Sequence, residues 1–411
     1  MTGVEEPSIL RLSFEHEPSP SSASAQPTSQ PEHLEPSELG DAAWVAALAG
    51  LPRMGPVRLT ALLDAWPARD AWERVRVGGL HRTPAIAARC RGLGEEVDRA
   101  WSSAARSTDV AELWHRHRDA GVEVLVPGDR RWPTALCDDP EPPAVLFLRG
   151  DLSLFEQPTA AVVGTRRCTP TGRAVARELG HELAAAGVCV VSGLALGVDG
   201  AAHLGALDAA GGAAPLAVVG TGLDIAYPRA HEGLAARLAA IGAVVSEYPL
   251  GTPPATWRFP ARNRILAALA QVVVVVESGA RGGSMHTVDA ALERDRTVLA
   301  VPGSVRNPAA AGTNALLAAG CGPARDVTDV LVALGLGTTP RAAGERGSPA
   351  EVTGDERLVL DALGWDPGTL EQVADRLGEP LGPVALHLAS LERLGAVRRD
   401  GAWFSRLAPV A

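Results

Sequence analysis

The sequence predicts an α/β chain organised around a doubly wound, mostly parallel sheet. Three observations lead there. Six short runs (159–164, 188–192, 215–219, 243–247, 271–277 and 297–302) are almost unbroken Val, Ala and Leu, the pattern of strands buried on both faces. Helical patterns such as TGRAVARELGHELAAAG, HEGLAARLAAIG and SMHTVDAALERD fill the intervals, and alternating β and α units imply parallel strands joined by right-handed crossovers. Glycine follows several of those helices, as expected where a helix ends in a left-handed turn. With 411 residues, 46% of them hydrophobic, the chain can build a sizeable core and about two or three domains.

From the N-terminus, residues 1–40 hold eight Ser, six Pro and few large apolar residues and read as a disordered tail. Within it, SILRLSF (8–14) is a candidate binding peptide. Residues 41–121 read as a helical domain, opening on DAAWVAALAGL with Asp41 as its expected N-cap. LPRMGPVRLTALLDAW (51–66) sets a short turn ending in Gly55-Pro56 ahead of a helix. It resembles a helix-hairpin-helix, as in SAM-like domains, where glycine lets the backbone approach a phosphate and the helix start supplies N–H groups. Arg53-Met54 stand where a second glycine is usual, so a plain helical connection is the competing reading. Six of the nine Trp lie between 44 and 132 and should anchor this region's own packing. VEVLVP and AVLFLRG, within 122–150, are strand candidates that extend the following sheet. Residues 122–335 therefore form a Rossmann-like domain. Residues 336–352 read as a linker. Residues 353–411 show three helical patterns and AVRRDGAWFSRL, a winged-helix-like end with Asp400-Gly401 as the wing's turn.

Charge narrows the partners. The net charge is −10, and all 38 basic residues are arginine. Residues 160–330 carry 14 Arg against 13 acids, and 331–411 carry 8 against 11. A broad nucleic-acid face usually comes with a basic domain, so polyanion binding here has to rest on a local arginine cluster. No run approaches 18 apolar residues, which excludes a membrane-spanning helix. Glu5 and Glu6 stand where a secretory signal needs positive charge. Five cysteines, odd in number, far apart and never CxxC, argue against disulfides or a zinc knuckle and for a reducing cytoplasm.

In open α/β sheets, ligands bind beyond the carboxyl ends of the strands. The segments there are GTRRCTPTG, SGLALGVDGAAH, GTGLDIAYP, YPLGTPPATWRFPARNR, SGARGGSMHT and GSVRNPAAAGTN. Their Gly, Ser, Thr, Asn and Arg supply amide nests, hydroxyls and guanidinium forks, the groups that hold phosphate oxygens. Arg166 and Arg167 are equal candidates to reach this rim, each with a plain surface arginine as the alternative. Arg262, Asn263 and Arg264 follow Phe259-Pro260 at a helix start, where the arginines either cap phosphates or pair with acids. Gly282, Gly283 and Ser284 offer amides at another helix start, or only an ordinary cap. Trp257 and Phe259 are the rim's candidates for base stacking. No GxGxxG follows the first strand and no GxxxxGK[ST] occurs, so a nucleotide cofactor is unsupported; no metal site is expected. Ser192, Asp199 and His203 could pose as a triad, but VVSGL is not a nucleophile elbow; a capping Asp and a hydrogen-bonded His explain them. Glu247 and Glu277 are expected to partner the rim arginines.

The ordered string SGLALGVDGAAHLGAL, VVGTGLDIAYP, VVSEYPLGTPP, FPARNRILAAL, VVVVVESGARGGSMHTVDAALERDRTVLAVPG and AGTNALLAAG resembles the DNA-processing protein A family (DprA, also called Smf) across 122–335. The resemblance implies a non-catalytic, homodimeric protein that binds single-stranded DNA without sequence preference. It further implies protection of incoming strands in natural transformation and loading of the RecA recombinase. Carried over residue by residue, the family's DNA pocket falls on Arg166, Ser192, Gly193, Phe259, Arg262, Asn263, Arg264, Gly283 and Ser284. Two departures stand out: GTR replaces GSR, and Ala261 stands where a second basic residue is common. The rival readings are a nucleotide-processing enzyme similar to phosphoribohydrolases, which lacks its PGGxGT-type loop here, and a DNA-associated adaptor acting through its end domains.

Overall fold

The computed structural model describes residues 39–90, 92–337 and 352–406. The expected tail 1–40, with its 8–14 peptide, and the linker 336–352 lie outside these residues except at their edges.

The N-terminal helices are α1 (Asp41–Ala49), α2 (Pro56–Leu63), α3 (Ala68–Val77), α4 (Pro84–Arg89), α5 (Glu95–Ser107) and α6 (Val110–Asp119). Asp41 is the first helical residue rather than the cap, which is Gly40 without a side-chain bond. Trp44, Trp72 and Trp101 are buried among these helices, and the Trp101 indole donates to the Pro52 carbonyl at 2.8 Å. The same apolar cluster continues into Val122, Val124, Val145 and Phe147 of the adjoining sheet. The helical unit thus packs onto the sheet's edge. Each fully buried large aliphatic side chain there contributes about 1.5–3 kcal/mol.

The sheet follows the apolar runs. Its strands are β1 (Glu123–Leu125), β2 (Leu146–Gly150), β3 (Thr159–Val163), β4 (Cys189–Ser192), β5 (Leu216–Val219), β6 (Ala243–Ser246), β7 (Val272–Val275), β8 (Thr297–Ala300) and the short β9 (Gly322–Pro323). Their order is β1-β2-β6-β5-β4-β3-β7-β8-β9. The pairs from β6 to β9 are parallel; β1 and β2 extend the β6 edge antiparallel. Between strands run α7 (Pro170–Ala185), α8 (Val198–Leu207), α9 (Glu232–Ile241), α10 (Arg258–Leu269), α11 (Met285–Leu292) and α12 (Ala311–Ala318), and α13 (Val327–Ala333) follows β9. Alternate residues of one strand feed opposite cores. Ala161 and Val163 face the cluster containing Ile265, Leu266 and Val288, whereas Ala160 and Val162 face the one containing Leu179, Leu183 and Ala202. Helices therefore cover both faces, which is why the strands read as unbroken apolar runs. From β3 the chain winds outward through β4, β5 and β6, then returns to lay β7 on the other side of β3. The carboxyl ends of β3 and β7 are thus the topological switch point, where a crevice opens.

The C-terminal unit comprises α14 (Gly354–Leu363), β10 (Gly368–Thr369), α15 (Leu370–Leu377), α16 (Leu381–Arg393), β11 (Val397–Asp400) and β12 (Trp403–Arg406). It is a winged helix with its own core of Val359, Leu363, Val373, Leu388, Leu391 and Phe404. Capping boxes start α14 at Thr353 and α15 at Thr369. Asp400 pairs with Trp403, so the wing turns at Gly401-Ala402, one residue later than expected.

Candidate nucleic-acid interface

A cavity of about 480 Å³ opens at the β3/β7 switch point. Its wall combines Gly164, Thr165 and Arg166 after β3, Asp199 of α8, Tyr227, the start of α10 (Phe259, Pro260, Arg262, Asn263), and Gly282, Gly283, Ser284 and His286 around the start of α11. Two ties hold the loops together across the switch point. The Thr165 amide donates to the Glu277 carbonyl at 2.7 Å. The buried Glu277 carboxylate accepts from the Thr169 amide (2.8 Å) and hydroxyl (2.6 Å). Glu277 thus braces the start of α7 instead of partnering a rim arginine.

Spacing on α10 decides which groups look inward. Phe259, Arg262 and Asn263 stand at i, i+3 and i+4, one face of a helix, while Arg264 falls on another. Accordingly Arg264 does not line the cavity. Its guanidinium donates to the Glu247 carboxylate at 2.5 Å and to the Glu141 carbonyl at 2.8 Å, and both charged side chains are largely buried, 13% and 3% exposed. The expectation that Glu247 partners a rim arginine is met in this pair. Burial nevertheless pushes the Glu247 carboxyl up to about 7, and its Oε2 has no partner among the described residues.

Arg262 is 6% exposed. Its guanidinium donates to the Val218 carbonyl and lies against Gly193, where an added Cβ would sit 2.3 Å from its nitrogens. Only glycine leaves that space. Burial lowers Arg262 to about 10, so it stays cationic at neutral pH. Asp199 lies close enough to oppose that drop; its own carboxyl is raised by burial, with Arg262 and Arg166 pulling the other way. The residue after Gly193, Leu194, is buried at φ 55, a strained conformation for a bulky side chain and costing about 1–3 kcal/mol.

Arg166 is exposed, and its guanidinium lies 5.2 Å from the centre of the Phe259 ring. Phe259 in turn stacks on Tyr227, 5.3 Å apart at 23°. Arg167 is exposed and does not line the cavity; its amide donates to the Thr165 hydroxyl. Asn263 reaches toward the Gly283 carbonyl at 3.5 Å. The Ser284 hydroxyl donates to Ser278 at 2.9 Å.

Of the nine expected residues, the structure brings Arg166, Phe259, Arg262, Asn263, Gly283 and Ser284 to one cavity. Ser192 is fully buried, its hydroxyl bonded to the Val162 carbonyl at 2.6 Å; it ties β4 to β3. Gly193 acts by admitting Arg262, and Arg264 by neutralising Glu247. Tyr227, His286 and Asp199 also line the wall and were not among the expected contacts. Tyr227 belongs to a rim loop quoted above, but nothing in GTGLDIAYP marks its ring as inward. Arg258 stacks elsewhere, 4.9 Å from the Tyr248 ring centre and 5.0 Å from that of Trp257. Asp199 sits in the first turn of α8, its carboxylate 3.4 Å from the Ala195 amide. His203 is fully buried; burial depresses it to about 3, opposed in part by a hydrogen bond with the Ser192 backbone. It is sealed in the core and does not line the cavity, so it does not face a ligand there. Chemically, the cavity offers two guanidiniums, amides and hydroxyls for phosphate and a flat cation–aromatic stack for a base, set against one carboxylate.

Among the described residues no helix is long and apolar enough to cross a membrane, and no cluster of His, Cys, Asp or Glu could hold a metal. A family model described as DNA recombination-mediator protein A matches residues 123–335, and one described as the DprA winged helix domain matches 343–401. A chain named DprA from Mycobacterium tuberculosis is 36% identical over 388 residues, 88% of this chain and 93% of that one. Protein Smf of Escherichia coli is 35% identical over 290 residues, 69% of this chain and 77% of that one. The X-ray structure of DNA processing protein A from Streptococcus pneumoniae superposes with a TM-score of 0.59 at 29% identity, covering 72% of this chain and 98% of that one.

Proposed function

The chain belongs to the DNA recombination-mediator protein A family, and from that premise we propose that it binds single-stranded DNA in the switch-point cavity, without catalysis. The observation that carries this reading is the Arg166–Phe259–Tyr227 stack standing beside Arg262 in an open hollow. A base of a single strand has a π-face free to lay on such a stack, and its phosphates meet arginine and amide donors; a base inside a duplex has both faces covered by its stacked neighbours. The strand contacts are Arg166, Phe259, Arg262, Asn263, Gly283 and Ser284, with Ser192, Gly193 and Arg264 as supports. In the cell, the protein protects incoming strands during natural transformation and hands them to the RecA recombinase, acting in the cytoplasm as a homodimer. Two cavities in one dimer raise avidity through effective concentration. The segments 41–121, 122–335 and 353–411 are its structural units.

The test is titration of the full chain with labelled single- and double-stranded oligomers of one sequence, followed by strand-exchange assays with RecA. Preference for the single strand supports the reading; equal or absent binding ends it. The nucleotide-processing alternative has Asp199 as its one cavity carboxylate, buried and set against Arg262. Turnover of nucleoside monophosphates would revive it.

A further inference from the structure

Next to the cavity, and outside its lining, stands Trp257. It is 52% exposed and caps α10, two residues before Phe259. Its neighbour Thr256 lines the cavity, so Trp257 begins about 3.8 Å of backbone from the cavity's edge. The ring is held in place: Tyr248 meets it edge-on with centres 6.2 Å apart, and Arg258 lies against both rings, anchored to the Pro253 carbonyl. An indole with an adjacent fixed cation is the combination that stacks a nucleobase and meets its phosphate.

The other side of this ring is the N-terminal unit. A Cβ added to Gly55 would lie 3.9 Å from the indole edge. Gly55 precedes Pro56 at the start of α2 with extended backbone. This is the turn whose sequence resembles a helix-hairpin-helix, and the fold sets it beside the core cavity. Val57 of that start is 65% exposed. The Arg53 side chain, in the same turn, makes an exposed pair with Glu96, the two side chains 63% and 80% exposed, a contact easily exchanged for a phosphate.

Resting on the cavity reading above, we infer that a single strand leaving the cavity stacks its next base on Trp257 and passes the α1–α2 turn at Gly55, so that the N-terminal helical unit forms one wall of the strand's path. The binding site is therefore longer than the cavity and spans two structural units.

The experiment measures affinity of the full chain for oligo(dT) of increasing length, from about 4 nucleotides, the short end of single-strand site sizes, to about 12. Trp257→Leu keeps apolar bulk but removes the π-face; Trp257→Tyr restores one. The expected result is an unchanged affinity of Trp257→Leu for the shortest oligomers and a loss of about 5- to 150-fold for the long ones, the range of one base–aromatic stack, with recovery in Trp257→Tyr. Gly55→Glu should weaken long-oligomer binding and Gly55→Arg should not. Equal losses of Trp257→Leu at all lengths, or none at any length, would overturn the inference, as would equal effects of Glu and Arg at position 55. If instead Arg166→Ala leaves the shortest oligomers bound as before, the cavity reading itself falls.

Discussion

Arg166 and Arg264 lie on the same rim in sequence and play opposite parts in the structure, which makes the pair a sharp test. Arg166 is exposed and open to the cavity; Arg264 is sequestered by Glu247. Removing Arg166 as Arg166→Ala takes away one guanidinium–phosphate contact, worth about 1.5–3 kcal/mol, hence about a 10- to 150-fold weaker complex. The slope of log affinity against log salt should flatten by about 0.7, the value for one phosphate on a single strand. Stability should move by no more than about 0.5 kcal/mol, since the side chain is solvated. Arg264→Ala should do the reverse. It strands a buried carboxylate, which costs about 3–5 kcal/mol when the charge persists, and less here because Glu247 can take a proton near pH 7. Its salt slope should match the parent. Fluorescence anisotropy with labelled oligo(dT) over a salt series gives the slopes, and urea unfolding gives the stabilities. A slope flattened by Arg264→Ala as much as by Arg166→Ala, or unmoved by Arg166→Ala, would refute the partition of roles.

Three further outcomes follow from the cavity and from the buried groups behind it. Gly193→Ala puts a methyl 2.3 Å from the Arg262 guanidinium, so it should displace that cation and weaken single-strand binding at least tenfold in anisotropy while circular dichroism still reports a folded sheet. Asp199→Asn removes the one carboxylate in the lining. It should tighten oligomer binding several-fold, and it should abolish an acid-side rise in wild-type affinity, because burial raises the Asp199 carboxyl and protonation ends its repulsion of phosphate. Glu247 titrates near 7 in the fold against 4.5 in the unfolded chain. The folded state then holds the extra proton, so this group's stabilising contribution is complete below pH 4.5 and is lost as pH rises through 7. Urea midpoints of the wild type should fall across that window relative to Glu247→Gln; parallel curves would contradict the assignment.

Much of this was legible in the chain. Strands buried on both faces must be written in apolar runs, and each of the six predicted runs became a strand of the sheet. FPARNR was legible as a rim element, and its helical spacing already separates Arg262 from Arg264, since residues two apart do not share a face. What did not show was pairing across long sequence gaps. Nothing local tells that Glu277 will receive the Thr169 amide and hydroxyl from 108 residues away, or that Ser192 will spend its hydroxyl on a neighbouring strand. The inward ring of Tyr227 was hidden for the same reason: its partner, Phe259, arrives from the far end of the crossover.

The pairing of β3 with β7, in which Ala160 sits opposite Val272, has a consequence for biosynthesis. The hollow lies where two distant stretches of polypeptide meet, so a ribosome must release well past position 290 before any such hollow can exist. Until then the emerging chain has half a nest and no grip, and nascent fragments should neither seize nucleic acid nor compete with finished molecules for it.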